Sequence, residues 1–216
     1  MAVRDRLVQK VQTPALPIPK DTPLKQYLDD LNNILRLFFN LLSNAVNAVF
    51  GDLGGRFLDM PNGLFFSTVD QPIAVVDVGQ VISFNNTYLS NAVAITGVSN
   101  SRITATYSGV YNLQLAAEIA SSSASSKIVY VWITRDGSDV SYTARQYVLA
   151  GSSDVKQISY NFIIDLVAGQ YIEFKWSSDD LDTALDTQAA TVNHPEVPSC
   201  SVAVTFASAL PVVLPI

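Results

Sequence analysis

Residues 24–50, LKQYLDDLNNILRLFFNLLSNAVNAVF, limit what this chain can become more than any other stretch. Leu24, Leu28, Leu31, Leu35, Phe38, Leu42, Ala45 and Val49 recur at alternating steps of four and three, the a/d pattern of a left-handed coiled coil. A lone helix leaves such a seam in water. Ile34, Leu37 and Leu41 widen the apolar face, which suits a bundle of three or more helices, or a helix covered by other chain, better than a two-stranded coil. The pattern predicts self-association.

Composition points the same way. Hydrophobic residues make up 49% of the 216 and charged ones only 15%, where about 25% charged is usual, so much of the surface is neutral, apolar or hidden against partners. The one cysteine, Cys200, excludes an intrachain disulfide framework and fits folding in a reducing cytoplasm before assembly. The leader MAVRDRLVQKVQTPALPIPK has charges but no apolar core of the kind a secretory signal carries. Residues 34–50 are apolar overall, yet Arg36, Asn40, Asn44 and Asn47 interrupt them, so no membrane span is expected.

Charge is uneven along the chain. Arg4, Arg6, Lys10 and Lys20 against Asp5 give residues 1–20 a net charge of +3, within a total of −6. A basic arm thus precedes an acidic body, and the four cations read either as a solvated leader or as an anchoring arm that finds an acidic protein surface. They are too few, and too free of interleaved aromatics, for a nucleic-acid footprint. Pro14, Pro17, Pro19 and Pro23 keep residues 13–23 extended. Asp21 or Thr22 is placed to cap the helix, with Pro23 at its first position; Gly51 and Gly54-Gly55 are placed to end it.

Beyond residue 60 the period changes from helical to alternating. Short runs rich in Val, Ile, Tyr, Phe and Thr, separated by Gly, Asn, Ser and Asp, predict strands over 64–68, 73–76, 80–84, 92–95, 101–106, 110–120, 127–135, 139–149, 155–166, 170–177, 185–191 and 199–207, the signature of an antiparallel sandwich or barrel. Asp136-Gly137 predicts a tight hairpin and Gly169 a turn, while the serine run 121–126 reads as an exposed loop. In 127–135 both faces are apolar, Ile128, Tyr130 and Trp132 on one and Val129, Val131 and Ile133 on the other. That pattern predicts a second sheet inside and another covering layer outside.

Four pieces taken in order resemble the successive strands of C1q/TNF-like jelly rolls: Ser108-Gly-Val-Tyr-Asn-Leu-Gln-Leu115, Trp132-Ile-Thr-Arg-Asp-Gly-Ser-Asp-Val140, Leu166-Val-Ala-Gly-Gln-Tyr-Ile-Glu-Phe-Lys-Trp176 and Ser201-Val-Ala-Val-Thr-Phe206. Tyr27–Asn40 followed by Gly54–Gly63 resembles structural proteins of environmental, largely marine, bacteriophages, and the likeness then covers about residues 24–208. The resemblance implies a homotrimer whose N-terminal part attaches to a virion while a C1q-like head projects as a fibre or spike.

The expected organisation is a basic, proline-rich extended arm (1–23), a coiled-coil helix (24–50), a glycine-rich linker (51–59), an antiparallel jelly-roll head (60–209) and an apolar, proline-containing tail (210–216) expected to pack on its own domain. Expected partners are further copies of the chain, other capsid or tail proteins through residues 1–50, and a host-surface glycan or protein at the head. The alternative is a purely structural decoration or connector protein.

No chemistry competes with that reading. His194, the one histidine, is followed by Pro195 and joined by no ligand set that would hold zinc or build a triad. Asp179, Asp180, Asp182 and Asp186 group oxygen donors, yet the stretch lacks the glycine and terminal glutamate of an EF-hand loop and reads as a solvated acidic loop. No nucleotide-binding glycine motif occurs, and nothing selects a carboxylate pair for glycoside hydrolysis. No enzyme activity, metal or cofactor is expected.

Overall fold

A computed structural model describes residues 24–50, 60–151, 154–208 and 210. The arm cations Arg4, Arg6, Lys10 and Lys20, the capping residues 21–23, the linker 51–59 and the tail residues 211–216 lie outside the described residues. Contacts divide the chain between Asp59 and Met60.

One helix, α1, spans Leu24–Phe50. Fourteen strands follow: β1 Asn62–Ser67, β2 Gln71–Pro72, β3 Gln80–Val81, β4 Asn86–Asn91, β5 Val93–Thr96, β6 Arg102–Ala105, β7 Gly109–Ser121, β8 Lys127–Arg135, β9 Ser138–Asp139, β10 Arg145–Leu149, β11 Asp154–Leu166, β12 Tyr171–Ser178, β13 Thr183–Leu185 and β14 Cys200–Ser208. All their pairings are antiparallel.

The first sheet is organised on β7. One edge of this 13-residue strand pairs with β11 along its whole length, Gly109 opposite Leu166 through Ser121 opposite Asp154. The other edge pairs with β14 and then β13, and β1 and β4 continue beyond β14. The second sheet runs β10-β8-β12-β6-β5, with β3 sharing the β6 edge of β12 farther along the strand and β9 closing the hairpin at the end of β8. Successive long strands alternate between sheets, β7 and β11 in the first, β8 and β12 in the second. The fold is mainly β, an antiparallel jelly-roll sandwich with one helix N-terminal to it.

Alternation in the sequence makes the core. Along β7 every odd residue is buried, and Tyr111, Leu113, Leu115 and Ile119 meet Phe65, Val202 and Val204 from neighbouring strands of the same sheet. The second sheet supplies Val129, Val131, Ile133, Ile172, Phe174 and Trp176, all 0% exposed. Ring contacts cross the sandwich, Tyr160 of β11 meeting Phe174 of β12 edge-on at 5.9 Å. Asp136 and Gly137, with φ of 48° and 83°, form the tight turn their sequence predicts, a backbone that asparagine, aspartate and glycine adopt most readily.

Three expectations need correction. Residues 73–76 form no strand among the described residues; Ile73 is buried but Val75 and Val76 are exposed in a turn, because apolar content without alternation carries no sheet register. The run 139–149 is broken, with β9 ending at Asp139, β10 starting at Arg145 and a turn between them. Strand β4, NTYLSN, has four exposed residues and was invisible to hydrophobic patterning. Where 185–191 was expected, β13 is Thr183–Leu185 and only an isolated bridge, Gln188 to Val197, follows.

Candidate functional site

Three surfaces can make contacts. The first is the helix. Leu24, Leu28, Leu35 and Leu42 of the expected seam are 72%, 46%, 38% and 38% exposed, while Leu31, Phe38 and Ala45 are half-buried; the side chain of Val49 lies outside the described residues. Leu37, Phe39, Leu41 and Val46 are exposed as well. The apolar surface is therefore broader than an a/d stripe. An isolated amphipathic helix of this kind gains little stability without a partner surface. No helix among the described residues is long and apolar enough to cross a membrane.

The second surface is the outer face of the first sheet. The register lines up Asn161, Gln114, Ala203, Leu64 and Leu89 across five strands, with Ser159, Ala116, Ser201 and Phe66 in one flanking row and Ile163, Asn112, Thr205, Asn62 and Asn91 in the other. None of these residues is charged. Ile163 is 62% exposed and Leu89 49%. On this face the amide oxygens of Asn62 and Asn112 are buried without a donor among the described residues, each a cost of about 1–3 kcal/mol.

The third is an open cleft of about 370 Å³ on the outer face of the second sheet, lined by Tyr130, Trp132, Asp139, Val140, Ser141, Tyr142, Ala144 and Ser177. Tyr130 and Trp132 alternate outward along β8, and Ser177 and Lys175 face them from β12 in register. The Trp132 indole N–H donates to Asp139 Oδ1 at 2.8 Å, and Lys175 Nζ lies 3.8 Å from the same oxygen. Gly79 makes room for the indole: a Cβ there would meet the Trp132 ring at 2.6 Å. The outward ring row expected to be fully covered is thus half-open in one chain, with Tyr130 41% exposed.

Two of the four carboxylates of the acidic loop are used internally. Asp179 Oδ1 accepts from Ile128 N at 2.9 Å. Asp180 pairs with Lys127, whose hydrogen bond holds the Asp180 carboxyl below the usual range. No group of metal-ligating residues forms among the described residues. His194 is exposed, with Nδ1 2.8 Å from the Pro195 carbonyl.

Cys200 is 1% exposed, close to the Gln71 amide and the Ser83 carbonyl. Burial pushes its thiol up to about 12, so the nucleophilic thiolate is scarce at neutral pH. A thiol-selective disulfide reagent at pH 8 is expected to leave the native protein unlabelled and to modify one thiol per chain in denaturant. Full labelling of the native protein contradicts this packing.

No family model matches the chain, and no curated protein matches it. Among solved structures, it is similar to the globular domain of the zebrafish complement 1qA protein, at 15% identity and a TM-score of 0.43, over 68% of this chain and 96% of that one.

The helix surface was legible from spacing alone. Tyr142 and Asp139 were not, since residues 139–149 read as one strand. The available signal was Asp136-Gly137, a hairpin that leaves its return strand short and opens a turn at Ser141.

Proposed function

We propose that the chain is a virion structural protein of a bacteriophage: a homotrimer of fibre or spike type, anchored to capsid or tail proteins through residues 1–50, with the β-head projecting toward a host-surface glycan or protein. The observation that carries this reading is the helix. Leu24, Leu28, Leu35 and Leu42 stand exposed along one 27-residue element, and burying each leucine is worth about 1.5–3 kcal/mol. Packing the seam between copies removes that surface from water without any change in the head. Three charge-free rows on the outer face of the first sheet offer a second surface for the same association, because no like charges need to be brought together within them. In this arrangement Arg4, Arg6, Lys10 and Lys20 form the anchoring arm, meeting an acidic surface of the particle by electrostatic attraction.

The likeness of residues 24–208 to phage structural proteins supplies the type of particle. The open aromatic cleft of the second sheet favours a binding head over a decoration protein whose surfaces are all sunk in neighbours. The test is accessibility on intact particles. Antibody fragments raised against residues 60–209 are expected to decorate purified virions and to block adsorption to host cells. Heads that antibodies reach only after the particle is dissociated would reject the projecting role and favour the decoration alternative.

A further inference from the structure

We infer that the cleft formed by Tyr130, Trp132, Asp139, Tyr142 and Ser177 is a binding site for a neutral hexopyranose. This deepens the reading of the head as a receptor-binding unit and rests on it.

The geometry of Tyr142 is the first argument. Its φ is +64° and its side chain is 96% exposed, a costly backbone for a bulky residue that gains no burial in return. The turn is held there from both sides. Thr143 is fully buried; its hydroxyl donates to the Val140 carbonyl at 2.7 Å and accepts from Ile133 N at 3.2 Å. Its carbonyl accepts from the Tyr160 hydroxyl at 2.7 Å. Arg145 Nη1 donates to the Ala144 carbonyl at 3.0 Å. Four connections therefore fix a turn whose outermost feature is an unburied ring on a cleft that Tyr130 and Trp132 also line.

The chemistry of the lining is the second. The faces of Tyr130, Trp132 and Tyr142 carry the negative side of the ring quadrupole, which attracts the weakly positive C–H groups on the flat face of a pyranose. Hydroxyl groups at the edge of the sugar need partners, and Asp139, Ser141 and Ser177 supply acceptors and donors in the lining. Asp139 Oδ1 is occupied by the indole and by Lys175; among the described residues no donor meets Oδ2. The carboxylate and ammonium balance each other, so the site favours an uncharged ligand. At about 370 Å³ the cleft lies near the lower end of ligand sites, the size for one or two sugar rings. An extended peptide fits less well, because the β8 and β12 backbones beneath the cleft are already committed to each other.

The experiment is a titration of the full chain with methyl α-glucopyranoside, methyl α-mannopyranoside and methyl β-galactopyranoside, with glucuronate and triglycine alongside, read by tryptophan emission. Trp176 is fully buried and acts as a constant background to Trp132. At least one methyl pyranoside is expected to give a saturable change. Tyr142→Ala and Asp139→Asn are each expected to weaken it by about tenfold or more, with melting temperature and solution mass unchanged. A saturable response to no neutral pyranoside, to glucuronate alone or to triglycine alone overturns the assignment, as do variants that bind like the parent. Its failure is separable from failure of the functional reading: sugar binding by heads buried in the virion would keep the cleft and remove the projecting role, whereas accessible heads that block adsorption but bind no pyranoside would do the reverse.

Discussion

Replacing Leu31 and Leu35 together with aspartate is expected to turn the assembled protein into monomers while leaving the head folded. Leu31 is half-buried and Leu35 is 38% exposed in one chain, so both have surface left to lose to a partner. Each substitution forfeits about 1.5–3 kcal/mol of apolar burial per chain and adds a carboxylate that the seam would have to desolvate beside its symmetry mates, at several kcal/mol more. The sum exceeds what a helix of this length can recover through other contacts. The buried hydrophobic core contains no residue of the helix, which is why the melting temperature of the head is expected to hold. Light scattering on the double variant checks the first half and thermal unfolding the second. A double variant of unchanged mass would remove the helix from the association interface.

The largest effect inside the head is expected from Trp176→Ala. Trp176 heads the fully buried side chains by volume and sits on β12 between its partners Val131 and Gln80. Emptying such a site costs about 3–5 kcal/mol, because the surrounding side chains relax only in part. For a domain of this size that lowers the melting temperature by on the order of 10 °C. Trp176→Phe is expected to cost clearly less: the indole N–H is buried without an acceptor among the described residues, so the smaller ring loses volume but also relieves an unpaired donor. Thermal unfolding of the two variants beside the parent gives the order. An alanine variant as stable as the parent would mean that this part of the sandwich is looser than its packing indicates.

What could be read in advance divides along physical lines. The helix was legible because eight seam positions repeat one spacing, and strands β7, β8, β11, β12 and β14 because their inward residues alternate without a break. Hairpin geometry was legible in Asp136-Gly137 because so few residues tolerate positive φ in succession. Strand β4 was not, since an edge strand that pairs on one side and faces water needs no apolar alternation. Residues 73–76 misled for the opposite reason, apolar side chains lying in a turn.

The cleft was the least legible feature. In the sequence Tyr130 and Trp132 form an apolar outer face, a pattern that predicts a covering layer. The structure leaves that face partly open and places beside it Tyr142, which is 12 and 35 positions away from the lining residues Tyr130 and Ser177 in the chain. No periodic pattern marks a lone exposed ring held on a turn by a buried threonine; that arrangement depends on Thr143 reaching Ile133, Val140 and Tyr160 at once, which only the tertiary fold brings about.

Sedimentation equilibrium of the full chain distinguishes a trimer from a monomer by its solution mass. A homotrimer gives a mass near three times the 23.4 kDa of one chain, independent of dilution over the working range. A full-length protein that sediments as a monomer would contradict the trimer, because the exposed leucines of the helix and the charge-free rows of the first sheet would then both remain in water.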